Sequence, residues 1–225
     1  MCVTISVMVT STVEDYLKAI RRLQQPTGTA TVGEIARELA VTPGTVTTMM
    51  RHLSGQGLID YEPRKGLRLL PSGEKAALRV VRRHRLIELF LVEVLGFDWS
   101  EVHEEAEQLE HVVSDRLLER MDAMLGRPTH DPHGDPIPNG DGVLAHSNGR
   151  PLADVDAGAF RIVRVSDADS ALLEWLNEKG LIIGRMFEIV RKDHIAGILE
   201  LEILAKTQVQ LGLKAAESVF VESAE

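Results

Sequence analysis

Cysteine is almost missing from this chain of 225 residues, with only Cys2 present, close to the N-terminus. That excludes a disulfide framework and a thiolate metal cage, and it suits a reducing compartment, so a cytoplasmic location is expected. No stretch reaches the run of about 18 apolar residues that a spanning helix needs, and the apolar start from Cys2 to Val9 has no basic leader. Neither a membrane span nor export is therefore expected, and Met8 offers an alternative initiator. Catalytic signatures are missing too. HEEAE at 103–107 places Glu107 where the zinc-protease helix needs its second histidine, and neither acidic helix carries the Glu-x-x-His pairs of a di-iron bundle. With no nucleophile elbow and no phosphate-cradling glycine loop, the chain is not expected to be an enzyme.

What is present is 44% hydrophobic and 26% charged, enough for one or two ordinary cores without a signature of disorder. The net charge of -9 argues against nucleic acid only while its distribution is ignored. From Arg64 to Arg85 there are eight Lys or Arg against one acid, Glu74, whereas Glu101 to Asp122 holds eight acids against Arg116 and Arg120. A basic front followed by an acidic middle fits a DNA-binding module joined to a cation-binding one.

Helical periodicity starts with Val13, Tyr16, Leu17, Ile20 and Leu23, behind Ser11 and Glu14 in capping-box spacing. Thr31 and Glu34 repeat that spacing ahead of Ile35, Ala36 and Leu39, and Thr42 with Pro43 opens a third helix after a tight turn. LIDYE and LRLL then read as two short strands joined through Pro63, Arg64, Lys65 and Gly66. Helix, turn, helix and a basic hairpin make a winged helix-turn-helix. The third helix turns Val46, Met49 and Leu53 inward, leaving Thr42, Pro43, Gly44, Thr45, Thr47, Thr48 and Arg51 as the surface offered to a major groove. Threonine there can contact a thymine methyl or donate to a base edge, and Arg51, Arg64 and Lys65 can reach phosphates.

Ser72 is expected to cap a helix to about Gly96, and a further helix runs from Ser100 to about Leu125. On that second helix His103, Glu107, Glu110 and His111 fall within a stripe about 100° wide, and on the first His84 and Glu88 stand four residues apart. Imidazole and carboxylate ligands without thiolate suit Mn(II) and Fe(II) ahead of structural zinc. Residues 126–151, dense in Pro, Gly, Asn and Asp, read as a linker, and FRIVRVS, MFEIVRK, ILELEIL and SVFVE beyond it suggest a small β-barrel.

VEDYLKAI at 13–20, IARELAVTPGTVTTMMRHLSGQGLI at 35–59, RRHRLIELFL at 82–91, VHEEAEQLEHVVSD at 102–115 and PHGDPIP at 132–138 resemble the diphtheria-toxin repressor and manganese transport regulator family. The resemblance implies a mainly α chain: a winged helix-turn-helix at 8–75, a helical metal-binding and dimerisation domain at 76–126, a linker at 127–151, and an SH3-like, FeoA-like domain at 152–225. It further implies a homodimer on a palindromic double-stranded DNA operator and two metal sites per subunit. The primary site would be Asp15, Glu107, Glu110 and His111; the ancillary site would be His84, Glu88 and His103, with Asp169 lent by the third domain. Iron-responsive members carry Met and Cys where Asp15 and Glu107 stand, so hard oxygens replace soft donors and Mn(II) is expected as the preferred ion, ahead of Fe(II). The manganese regulators place a ligand Glu where Lys18 stands, so their close dinuclear pair is not expected. A metal-independent winged-helix regulator whose last domain senses a small molecule is the alternative.

Overall fold

The computed structural model describes residues 10–25, 27–63, 65–145, 149–203 and 207–224. The chain forms two compact units, one within Met1–Arg83 with Pro138–Val143, the other His84–Ile137 with Leu144–Glu225.

In the first unit, α1 (Ser11–Gln24) is capped by Thr10, whose hydroxyl accepts from the Val13 N–H at 3.4 Å. The expected cap, Ser11, is already inside the helix. Glu14 turns its carboxylate to Arg83 at 3.5 Å. The second expected capping box is present: Thr31 and Glu34 exchange bonds at the start of α2 (Val32–Glu38). Thr42 caps α3 (Pro43–Gly55) with Pro43 in its first turn, where a missing N–H costs nothing. Strands β1 (Ile59–Glu62) and β2 (Gly66–Leu69) pair antiparallel, and Ala30 bridges to Leu67, tying the loop before α2 to the hairpin.

Leu17, Ile20, Ile35, Val46, Met50, Leu53, Ile59 and Leu67 close one core, each fully buried Leu or Ile worth about 1.5–3 kcal/mol. On α3 the buried face is Val46, Met50 and Leu53, with Met49, expected to face inward, only half-buried; both sets span the same width at helical period, so the packing and not the period chose between them. The long helix α4 (Pro71–Glu93) begins one residue before the expected cap, and the Ser72 hydroxyl donates to the Gly57 carbonyl instead. Gly73 lets α4 press on that segment: a Cβ there would stand 2.1 Å from the Leu58 carbonyl oxygen.

The second unit starts with the last turns of α4. Leu86, Ile87 and Leu91 pack with Val102 and Ala106 of α5 (Val102–Leu109), Leu118 of α6 (Asp115–Met124) and Ile137. The single helix expected over 100–125 is thus two. Ser114, extended at φ -70° and ψ 150°, accepts from the Leu117 N–H and starts a new helix, so α5 stops at Leu109.

The rest of this unit is one six-stranded antiparallel sheet in the order β3 (Arg150–Pro151), β8 (Val219–Ser223), β4 (Gly158–Val165), β5 (Met186–Asp193), β6 (Ile198–Ile203), β7 (Thr207–Gly212). Alternate residues Leu199, Leu201 and Ile203, and Val209 and Leu211, face its core, which α7 (Ser170–Glu178) supplements with Leu173 and Leu176. A bulge between Ile162 and Arg164 breaks the period of two in β4, so Ile162 and Val165 both point inward although three apart. With eight α-helices and this sheet among the described residues, the chain is α and β, and the expectation of a mainly α protein is too narrow.

Candidate metal centre and nucleic-acid interface

In the first unit, Thr42, Pro43, Gly44, Thr45, Thr48 and Arg51 are exposed and Thr47 is half-buried. The Thr47 and Thr48 hydroxyls donate back to the Pro43 and Gly44 carbonyls at 2.8 and 3.1 Å. Those bonds hold the rotamers while leaving oxygen lone pairs and methyl groups available to a partner. Gly44 has no steric need to be glycine, since an added Cβ would meet only the Thr42 hydroxyl at 3.8 Å. Lys65, in the exposed hairpin turn, pairs with Glu62 at 2.6 Å. Arg64 lies outside the described residues. Asp15 is half-buried and lies just past the first turn of α1.

In the second unit, the helical register of α4 puts His84 and Glu88 on one face, both buried, and α5 brings His103 against them. His84 Nε2 is 2.8 Å from Glu88 Oε1 and 3.1 Å from His103 Nδ1, while His84 Nδ1 is 2.6 Å from Glu110 Oε2. A neutral imidazole donates from one nitrogen only, so His84, with a carboxylate at each end, needs either a second ring proton or a bound cation. Burial works against the Glu88 carboxylate, but hydrogen bonds to His103 and His84 and the charge of His84 outweigh it and hold its pKa below the usual carboxylate range.

His84, Glu88, His103 and Asp167 each offer a donor atom within 4.8 Å of the others, and His103 Nδ1 lies 3.6 Å from Asp167 Oδ2. The carboxylate brought here from the third segment is therefore Asp167. Asp169 is spent on capping α7, where it accepts from the Leu172 N–H at 3.1 Å. A cleft lined by Ser100, Glu101, His103, Glu104, Glu105 and Asp167 gives this group an acidic approach.

Of the expected primary ligands in this unit, Glu107 and Glu110 group with His84. Glu110, at the C-cap of α5, is 1% exposed, and its Oε1 is 3.5 Å from His111 Nε2. Glu107 is more open, its side chain 54% exposed and 3.8 Å from His103 Nε2. Glu110 thereby links the two groups of ligands through His84.

The Pro- and Gly-rich stretch contains site residues that sequence reasoning passed over as linker. Asp131 Oδ1 accepts the N–H groups of both His133 and Asp135 at 2.9 Å, the turn that Asp-Pro dipeptides favour. Burial pushes the Asp131 carboxyl well above the carboxylate range, the charges of Glu88 and Asp135 add to this, and Arg85 opposes it only in part. Gly134, at φ +85°, brings the turn so close to β4 that a Cβ would lie 2.1 Å from the Val163 carbonyl oxygen. The signal available in the sequence was PHGDP itself, chemistry-bearing residues on both sides of a glycine.

A winged helix-turn-helix in the same chain as clustered buried imidazoles and carboxylates is the equipment of a metal-responsive DNA-binding protein. The comparisons with known proteins agree. Three family profiles match along the chain: the iron dependent repressor N-terminal DNA binding domain over residues 8–67, its metal binding and dimerisation domain over 70–139, and the FeoA domain over 150–223. The iron-dependent repressor IdeR of Mycobacterium leprae is 34% identical over 182 residues, 81% of this chain and 74% of that protein. The HTH-type transcriptional regulator MntR of Bacillus pumilus is 38% identical over 51% of this chain and 78% of its own length. Among solved structures, a manganese-dependent transcriptional repressor in complex with manganese is 39% identical, with a TM-score of 0.88 over 94% of this chain and 99% of that one. The chain belongs to the diphtheria-toxin repressor and manganese transport regulator family of metal-dependent transcriptional repressors.

Proposed function

We propose that this protein is a cytoplasmic, Mn(II)-activated repressor that binds a palindromic operator of metal-homeostasis genes as a homodimer. The observation that carries this reading is the chain of buried Glu110, His84 and Glu88 and half-buried His103 and Asp167, in which nitrogen and oxygen donors alternate without sulfur. That donor set fits Mn(II) or Fe(II), and a bound cation is one of the two ways in which His84 can satisfy a carboxylate at each end. His84, Glu88, His103 and Asp167 would hold an ancillary ion, Asp167 taking the part expected of Asp169. Glu107, Glu110 and His111 would serve a primary ion, with Asp15 their fourth ligand by family resemblance. The bound ion supplies positive charge that offsets these carboxylates. If it binds the DNA-competent form more tightly than the other, occupancy shifts the population by that difference in affinity. Gel-shift titration of an operator with Mn(II), Fe(II) and Zn(II), with chelator as control, tests the reading, and binding unaffected by chelation would sink it.

For the DNA side we keep Thr42 to Arg51 as the surface that reads the groove, with Arg64 and Lys65 on the backbone. Lys65→Ala should weaken operator and random DNA about equally and lower the salt slope of log affinity by about one; a change in sequence preference would show the wing reading bases. Gly44→Ala should fold with unchanged or slightly higher thermal stability, because its Cβ meets nothing closer than 3.8 Å. It should nevertheless cost at least about tenfold in operator affinity, since the helix start must approach base edges closely. Equal affinity would remove that turn from the interface.

For dimerisation, Val112, Leu117 and Met124 leave exposed apolar surface around the start and along the length of α6. Val113 and Phe90 are half-buried, Val113 against the helical core. Metal choice separates affinity from response: Zn(II) should bind more tightly than Mn(II), following the first-row order, yet activate less fully because it favours four ligands. Operator affinity at saturating concentrations of each ion checks this, and equal activation refutes it.

A further inference from the structure

Glu88 has two carboxylate oxygens and the ancillary group uses one. Oε1 faces His84 and His103, whereas Oε2 is buried with no hydrogen-bond partner. A second orphan lies in the same unit. His133, fully buried, engages the Trp99 carbonyl through Nε2 at 2.8 Å, which fixes the proton on Nε2 and leaves Nδ1 a bare lone pair, also unpartnered. Asp131 completes the group: Glu88, Asp131 and His133 each place one donor atom within 4.8 Å of the other two, and all three are buried.

Two acceptors left unsatisfied in a protein interior are destabilising and call for an explanation such as an ion or an ordered water. The positive charge on this side comes from Arg85 and from Arg164, which lies 3.8 Å from Asp135 Oδ1, and that of Arg85 is shared. Its Nη1 donates to the Pro136 carbonyl, its Nε lies 3.3 Å from Asp131 Oδ2, and its Nη2 lies 3.2 Å from Asp135 Oδ1. The supporting bonds are those a cation site requires. A ligating histidine donates its other ring N–H to a carbonyl, as His133 does to Trp99, and a ligating carboxylate is held by further donors, as Asp131 is by two backbone N–H groups. The turn is pinned from behind as well, with the His133 carbonyl accepting the Val165 N–H at 2.9 Å.

We propose that Glu88 Oε2, Asp131 and His133 Nδ1 form a further binding site for a divalent first-row cation, joined to the ancillary group through the shared Glu88 carboxylate. Two oxygens and one imidazole nitrogen make it oxygen-rich, a set suited to Mn(II) and Fe(II). The proposal builds on the function above, because Glu88 belongs to both groups, but it needs none of His84, His103 or Asp167.

The test is an anomalous-difference map at the manganese edge from crystals of the full chain grown with MnCl2, together with equilibrium dialysis of Mn(II) against the wild type, His133→Phe and His103→Ala. The expected result is a peak within bonding distance of Glu88, Asp131 and His133 in the wild type, one fewer ion per chain in His133→Phe, and persistence of that peak in His103→Ala. A filled ancillary group with water or nothing at Asp131 and His133 would overturn this inference and leave the proposed function standing. No manganese at any of these groups would overturn both. If His133→Phe fails to fold, the wild-type and His103→Ala maps decide the question without it.

Discussion

Replacing Glu107 with alanine should abolish Mn(II)-stimulated operator binding while leaving a folded dimer. Glu107 is the cleaner probe of the primary site because its side chain is half exposed, so its removal opens no buried cavity. Glu110 is the poor probe. It is buried and 2.6 Å from His84 Nδ1, so its loss would take away the carboxylate that this buried nitrogen faces and confuse stability with metal binding. Loss of even an outer partner of a metal ligand costs about 10–100-fold in metal affinity, so loss of a ligand itself should cost at least about 100-fold. Operator affinity as a function of free Mn(II), with dimer mass followed in parallel, reads the effect. His111→Ala should behave the same way, and metal-dependent binding retained in both variants would remove these residues from the site.

Gly134→Ala should be the most damaging small substitution in the second unit. The positive φ of +85° costs an alanine about 1–2 kcal/mol. The added Cβ would also lie 2.1 Å from the Val163 oxygen and 2.9 Å from the Arg164 Cα, both backbone atoms that cannot rotate away. The turn must then lift off β4, carrying Asp131 and His133 from their positions, for a total loss of more than about 3 kcal/mol. Urea unfolding of wild type and variant measures it. A loss below about 1 kcal/mol would show that the turn is not pinned against the strand.

Much of the DNA-binding half was legible in the sequence, because its signals are local. Thr31 with Glu34 and Thr42 with Pro43 announce helix starts through bonds that span three residues, and the structure realises both. The hairpin at Ile59–Glu62 and Gly66–Leu69 needed only two short runs and a turn. Periodicity failed where a local device interrupted it. Ser114 starts a new helix inside what reads as one continuous stripe, and the β4 bulge shifts which residues face the core.

The metal-binding half was legible as a list of residues but not as a geometry. His84 with Glu88, and His103 with Glu107, were visible because four residues return a helix to the same face. Nothing in the sequence says that Asp169 is consumed by a helix cap while Asp167, two residues earlier, reaches His103, since that depends on how the chain enters α7.

Residue chemistry by itself determined the class of this protein: a single cysteine removed thiolate ligands, and the basic front and acidic middle separated DNA contact from cation binding. Tertiary structure alone decided which donors share one buried space. The spacing from Glu88 to His133 carries no period, and only the packing of α4 against the turn at Asp131–Asp135 makes their unpartnered atoms part of one group.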